Sequence, residues 1–359
     1  MIEKIIDYCA RNKFIVILVY LLIVGWGIWA VVNTPLDAIP DLSENQVIVF
    51  TEWMGRSPKL VEDQITFPLV TALQGVPDVK AIRAQSMFGM SFIYIIFEDR
   101  TDLYWARSRV LEKLSTIQSA LPSGSKMQLG PDGTGVGHVF WYTLEGKYDL
   151  GALRAIQDWY VKLNLQGVQG VAEVASIGGY VRQYQVDVDP NKMKGYSVTL
   201  ADIQTAVMRS NNDVGGKILE VNGAEYFVRG QGYIQTPRDV ENIVVGTGAN
   251  GTPIYIRNLG TVQLGGDIRR GSLDKNGTGQ VVGGIVVMRY GENAKAVIDR
   301  IKERIKEITP GLPKGVEIKP AYDRSDIIMA SIETLKGALI EEAIVVSIVV
   351  FLFLLHARS

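Results

Sequence analysis

Leu73-Gln-Gly-Val76 and Leu165-Gln-Gly-Val168 are the same tetrapeptide, and each stands where an apolar helical stripe gives way to strand-forming residues. Upstream of the first, Val61, Ile65, Leu69 and Leu73 follow Ser57-Pro58, a helix start with proline at the first helical position. Upstream of the second, Asp149 caps a helix carrying Leu150, Leu153, Tyr160 and Leu163. Residues 79–86 and 171–177 then read as strands. Four identical residues at equivalent junctions argue for an internal duplication.

Around the first junction, a strand over 47–52, a second strand over 92–97 and a helix over 103–121 complete two β-α-β units, with a kink predicted at Pro68. Around the second, a strand over 139–144 opens the same pattern, but the repeat does not close. From 178 to about 277 the chain alternates at Tyr184, Val186 and Val188, then shows two capping boxes, Thr199-Leu-Ala-Asp202 and Thr236-Pro-Arg-Asp239. Between them Asn222-Gly223 joins two strand-like runs, a strong short-range hairpin signal. A strand over 281–288, a helix capped by Asn293 with Val297, Ile301, Ile305 and Ile308, and a strand over 316–320 resume the pattern. An inserted domain splitting the second repeat explains this order.

Two apolar segments set the class. Residues 14–32 carry no charge and have the length needed to cross roughly 30 Å of hydrocarbon. Trp26 and Trp29 stand toward one end as interfacial anchors. A cleavable signal peptide is the alternative, but the run is long for one and lacks a small-x-small site before Pro40. The second segment, 343–355, reaches spanning length only when extended back to Gly337, which includes Glu341 and Glu342. Arg11 and Lys13 before the first span, and Arg358 after the second, place both ends on the cytoplasmic side, whereas Lys4 with them is what a signal peptide would also carry.

Lys plus Arg number 37 and Asp plus Glu 38, so no global field would gather nucleic acid, and none is expected as a partner. One cysteine, Cys9, excludes an internal disulfide and a cysteine zinc cluster. With His138 and His356 the only histidines, no Ser/His/Asp or Cys/His constellation is recognisable. The run Gly130 to Gly137 lacks the ending of a phosphate-binding loop and reads as a structural turn.

Several segments, taken in order, resemble the heavy-metal efflux branch of the resistance–nodulation–division superfamily along essentially the whole chain. They are Asn33-Thr-Pro-Leu-Asp-Ala-Ile-Pro-Asp-Leu-Ser43, Tyr104-Trp-Ala-Arg-Ser-Arg-Val110, Gly130-Pro-Asp-Gly-Thr-Gly-Val-Gly137, Gln157-Asp-Trp159, Val171-Ala-Glu-Val-Ala-Ser-Ile-Gly-Gly179 and Tyr322-Asp-Arg-Ser325. The resemblance implies an α+β membrane protein in which two transmembrane helices flank tandem split β-α-β (ferredoxin-like) porter subdomains with an inserted docking domain. The expected boundaries are 1–33 for the N-terminal segment and first transmembrane helix and 34–129 for the first porter subdomain. The second porter subdomain takes 130–177 and 278–327, the docking insertion 178–277 and the second transmembrane helix 328–359. Residues 34–336 would be periplasmic in a multi-pass protein of the bacterial inner membrane.

The resemblance further implies proton-driven export of metal cations by a homotrimer with a periplasmic adaptor and an outer-membrane channel. It implies a transporter rather than an enzyme, without a resident cofactor. The chain would be the N-terminal part of such a pump, with the proton relay in later spans and the methionine cluster in the C-terminal half. A two-span receptor with a periplasmic ligand-sensing domain is the main rival, and a membrane-tethered hydrolase a second.

His138 and Glu173 are the candidate metal ligands. Imidazole suits copper, zinc and nickel, and members resembling zinc exporters carry an acidic residue at the position of His138. An ordinary polar strand residue is the competing reading. The Gly130 segment favours copper or silver over zinc, cobalt and cadmium. Met54, Met87, Met90, Met127 and Met288 are thioethers to be weighed against core filling. Ile218, Leu219, Asn222, Gly223, Tyr226 and Phe227, on the hairpin, are the candidate subunit-docking residues.

Overall fold

The computed structural model describes residues 8–9, 11–34, 36–248, 250–269 and 271–354. Lys4, Leu355, His356, Arg358 and Ser359, on which parts of the sequence reading rest, lie outside the described residues. Helix α1 (Lys13–Asn33) is apolar on every face and exposed along its length, as a helix solvated by lipid would be. Among the described residues its stretch Lys13–Val31 is the one helix long and apolar enough to cross a membrane.

The chain divides into two compact units, one of Met1–Thr143, Val161–Ser176 and Gly283–Ser359, the other of Leu144–Tyr160 and Ile177–Val282. In the first unit, β1 (Gln46–Glu52) leads into α2 (Pro58–Val61), a π turn (Glu62–Thr66) and α3 (Phe67–Leu73). The antiparallel pair β2 (Val79–Met87) and β3 (Met90–Phe97), helix α4 (Leu103–Ile117) and β4 (Lys126–Leu129) come next. The sheet order is β2-β3-β1-β4, the arrangement of a split β-α-β fold. Val47 and Val49 of β1, Ile93 and Ile95 of β3, Ile65 and Leu69, and Val110 and Leu114 of α4 bury one sheet face under the helices. On the other face Phe50 and Phe92 stack at 6.1 Å.

The deformation expected from Pro68 falls in the turn before it, since a proline cannot donate to the carbonyl four residues earlier, that of Gln64. The helix is deformed one turn earlier, at the π turn, which ends at Thr66 before the proline. A second π turn, Gln157–Val161, lies between α5 (Leu150–Ile156) and α6 (Lys162–Gln166), where there is no proline. The extra residue in that turn rotates α6 about its axis. Leu163, expected on the apolar stripe, is 55% exposed, while Val161 and Leu165 are fully buried.

The same strand order recurs. β5 (His138–Glu145), β6 (Val171–Gly178), and, later in the chain, β14 (Gln280–Met288) and β15 (Glu317–Asp323) lie in the order β6-β14-β5-β15. The tetrapeptides occupy equivalent places within the first unit. The amide of Val76 donates to the carbonyl of Leu73 and that of Val168 to Leu165, both at 3.1 Å, and both leucines are fully buried.

The second unit holds β7 (Arg182–Val188), α7 (Pro190–Gly195) and α8 (Leu200–Ser210), then the hairpin β8 (Val214–Val221) and β9 (Ala224–Gly230). After it come α9 (Pro237–Glu241), β10 (Val244–Thr247), β11 (Pro253–Tyr255), α10 (Ile256–Leu259), β12 (Gly260–Gly266) and β13 (Leu273–Asp274). β7 pairs with β12, and Ile203, Val240, Ile243, Ile254, Ile256 and Leu259 form the core. Both capping boxes are present, at Thr199 with Asp202 and Thr236 with Asp239.

Helix α11 (Ala294–Ile308) buries Val297, Ile298 and Ile301, and the long helix α12 (Arg324–Leu354) runs from the end of β15. Its second half presents exposed Leu339, Ile340, Ile344 and Val345 beside Glu341 and Glu342. The second span expected there needs Leu355, outside the described residues.

Candidate functional site

The glycine-rich segment 130–137 is a tightly seated turn. A Cβ on Gly133 would stand 2.7 Å from Val287 Cγ1 and 2.8 Å from the Met288 carbonyl oxygen, and one on Gly137 2.8 Å from that same oxygen. Only glycine lets this loop lie against the end of β14, so close approach of backbone, not phosphate binding, accounts for these two residues. The segment then feeds into His138, the first residue of β5.

Polar contacts from several distant parts of the sequence converge on this loop. The Tyr104 hydroxyl donates to Asp132 at 2.9 Å, and the Arg289 guanidinium pairs with the same carboxylate at 3.3 Å. Burial pushes the Tyr104 phenol up, and the hydrogen bond to Asp132 adds to it. Thr134 donates to Asp41 at 2.7 Å. Burial pulls the Asp41 carboxyl upward, but hydrogen bonds from Thr134 and Ser43 and the charge of Arg324 outweigh it, leaving the group below its ordinary 3.8.

Arg324, the first residue of α12 and only 3% exposed, pairs with Asp37 at 3.2 Å and donates to the carbonyls of Val136 and His138, the latter at 3.2 Å. Removing one partner of such a buried pair costs on the order of 3–5 kcal/mol, because the other charge is left desolvated. Behind it, Lys302 of α11 pairs with Asp323 and donates to Ser325 at 2.9 Å.

His138 and Glu173 are both half-buried. They lie on strands that are not neighbours, since β14 runs between β5 and β6. Two inter-strand spacings put the two backbones about 10 Å apart or more. Among the described residues no group of three or more His, Cys, Asp and Glu is placed to hold a metal ion. Met87 and Met90 are paired across the β2–β3 turn, and Met54 Sδ lies 3.4 Å from where a Cβ on Gly89, within that turn, would stand. Met127 and Met288 are packing residues.

The hairpin residues Asn222 and Gly223 both have positive φ, 53° and 78°, the conformation of a type I′ turn. Leu219 faces Tyr226 and Ile218 faces Phe227, and every residue of both strands is exposed.

Asp37, Asp41, Tyr104, Asp132 and Arg324 had no role assigned in the sequence reading. The signal was present: they lie in four of the segments that carry the family resemblance, and the fold brings those segments to one place.

The profile of the AcrB/AcrD/AcrF family matches residues 5–359. The cation efflux system protein CusA of Escherichia coli K12 is 47% identical over the whole chain, which covers 35% of CusA. The cobalt-zinc-cadmium resistance protein CzcA of Cupriavidus metallidurans is 36% identical over the whole chain, covering 34% of that protein. A crystal structure of a heavy metal efflux pump superposes with a TM-score of 0.89 at 32% identity, over 99% of this chain and 36% of the pump. The chain thus spans about a third of the length of the curated relatives it matches.

Proposed function

We propose, on the premise that the chain belongs to the AcrB/AcrD/AcrF family, that it forms the porter-bearing N-terminal part of an inner-membrane pump exporting heavy-metal cations in exchange for protons. The observation that carries this reading is the superposition on a heavy metal efflux pump along 99% of the chain. In this reading α1 and α12 are two membrane spans and 34–336 stand on the periplasmic side. The porter subdomains are 34–129 and 130–177 with 278–327, 178–277 is the docking insertion that splits the second of them, and 1–33 and 328–359 carry the membrane helices at either end. Three copies assemble, with the exposed hairpin reaching a neighbour, and an adaptor and an outer-membrane channel complete the route.

The proposed cargo is a soft monovalent cation, copper or silver. The 130–137 segment favours this cargo, and lower identity to the cobalt-zinc-cadmium resistance protein than to the cation efflux protein CusA fits it, while an imidazole at 138 suits copper and zinc alike. His138 and Glu173 would contact successive ions rather than share one, given the intervening strand.

The test is transport by the full-length pump in proteoliposomes under a pH gradient. Silver or copper(I) should move and zinc should move less, with His138→Ala slowing transport on the order of tenfold. A pump that moves none of these cations overturns the function, and one that moves zinc alone overturns the cargo.

A further inference from the structure

Arg324 is placed at a cost. It opens a 31-residue helix, where the helix dipole opposes a positive charge, and it is almost entirely removed from water. Its Nε is buried without a hydrogen-bond partner. Such a group persists where its other contacts are needed. Those contacts are the Asp37 carboxylate, a few residues beyond the end of α1, and the carbonyls of Val136 and His138. One guanidinium therefore touches the linker after the first helix, the head of the last helix and the backbone of the candidate ligand.

We infer that Arg324 is a positioning residue that fixes the His138 backbone to the linker after α1 and to the head of α12, so that the imidazole stands where the two long helices hold it. The planar fork matters more than the charge: only arginine can serve a carboxylate and two carbonyls from one plane. Asp41, held to Thr134 on the same loop, is a second tether from the same linker. The inference rests on the reading of His138 as lining an ion path, and the two are separable by experiment.

Selective isotope labelling of histidine in the full-length pump in nanodiscs resolves the ring signals, and the one lost in His138→Gln is that of His138. In metal-free protein, Arg324→Lys should shift the His138 signal and raise hydrogen exchange of the peptide 134–139 about tenfold, with cooperative unfolding retained. Asp37→Asn, which leaves the arginine in place, should move both readouts in the same direction, and the double variant should add nothing more. Lys302→Gln breaks the neighbouring Asp323 pair without touching either carbonyl, and should leave the His138 signal unchanged. The inference is overturned if Arg324→Lys and Asp37→Asn both leave the signal and exchange unmoved, or if Lys302→Gln moves them equally. Titrating the parent with silver tests the other reading: a His138 signal blind to silver refutes the ion path and leaves the positioning role intact.

Discussion

A methyl group added at Gly137 would stand 2.8 Å from the Met288 carbonyl, whereas one added at Gly135, two residues earlier, would meet nothing within 4 Å. Gly137→Ala should destabilise the chain by about 1–3 kcal/mol through forced displacement of β14, and Gly135→Ala by less than about 0.5 kcal/mol. Urea unfolding of the two variants checks this; equal effects would show that the close approach is not what constrains the loop. Charge acts at the same scale. Burial raises the Asp41 and Asp323 carboxyls, and it is outweighed by Thr134, Ser43 and Arg324 at Asp41 and by Lys302 and Ser325 at Asp323, so both end below 3.8. A carboxyl whose folded pKa is depressed stabilises fully above its unfolded value and loses that contribution as pH falls through the folded one. Thermal stability should therefore fall as pH drops below about 4, and less steeply in Asp41→Asn; an unchanged slope would remove Asp41 from the acid response.

At the scale of elements, helix periodicity located the stripe before each repeated tetrapeptide but misplaced Leu163. A π turn holds an extra residue and carries no compositional signature, so a 3.6-residue count runs out of phase beyond it. The hairpin is the opposite case, because Asn-Gly names its own turn type, and both residues accordingly have positive φ. Its strands do not stabilise themselves well: Glu220 faces Glu225, and Phe227 is 81% exposed. An isolated two-stranded ribbon with that much apolar surface needs a partner. Burying one such aromatic is worth about 1.5–3 kcal/mol. Tyr226→Asp with Phe227→Asp should accordingly weaken the trimer of the full-length pump while each protomer stays folded, as read by native mass spectrometry and circular dichroism. A trimer of unchanged stability would refute the docking role.

For the whole molecule, a four-stranded order that recurs within a second, five-stranded sheet to which β13 is added, built on junctions of identical sequence, supports a duplication. Membrane topology is testable with the chain's own chemistry, since Cys9 is its single cysteine. In intact spheroplasts an impermeant maleimide should leave Cys9 unlabelled and should label a cysteine introduced as Lys147→Cys in a Cys9→Ser background. Labelling of Cys9 from outside would invert the proposed orientation.

Local signals written in contiguous residues determined much: the first apolar helix, the capping boxes at Thr199 and Thr236, the Asn222-Gly223 turn and the repeated junction. Each depends on interactions within a few residues, so the sequence alone suffices. The tertiary structure decided what depends on distant partners. It set β14 between the strands of His138 and Glu173, because sheet order is fixed by which apolar faces bury each other. It also brought Asp37, Thr134, Val136 and Arg324 together, 287 positions apart at the extremes. A buried guanidinium finds its carboxylate through the fold, and no periodicity along the chain encodes that pairing.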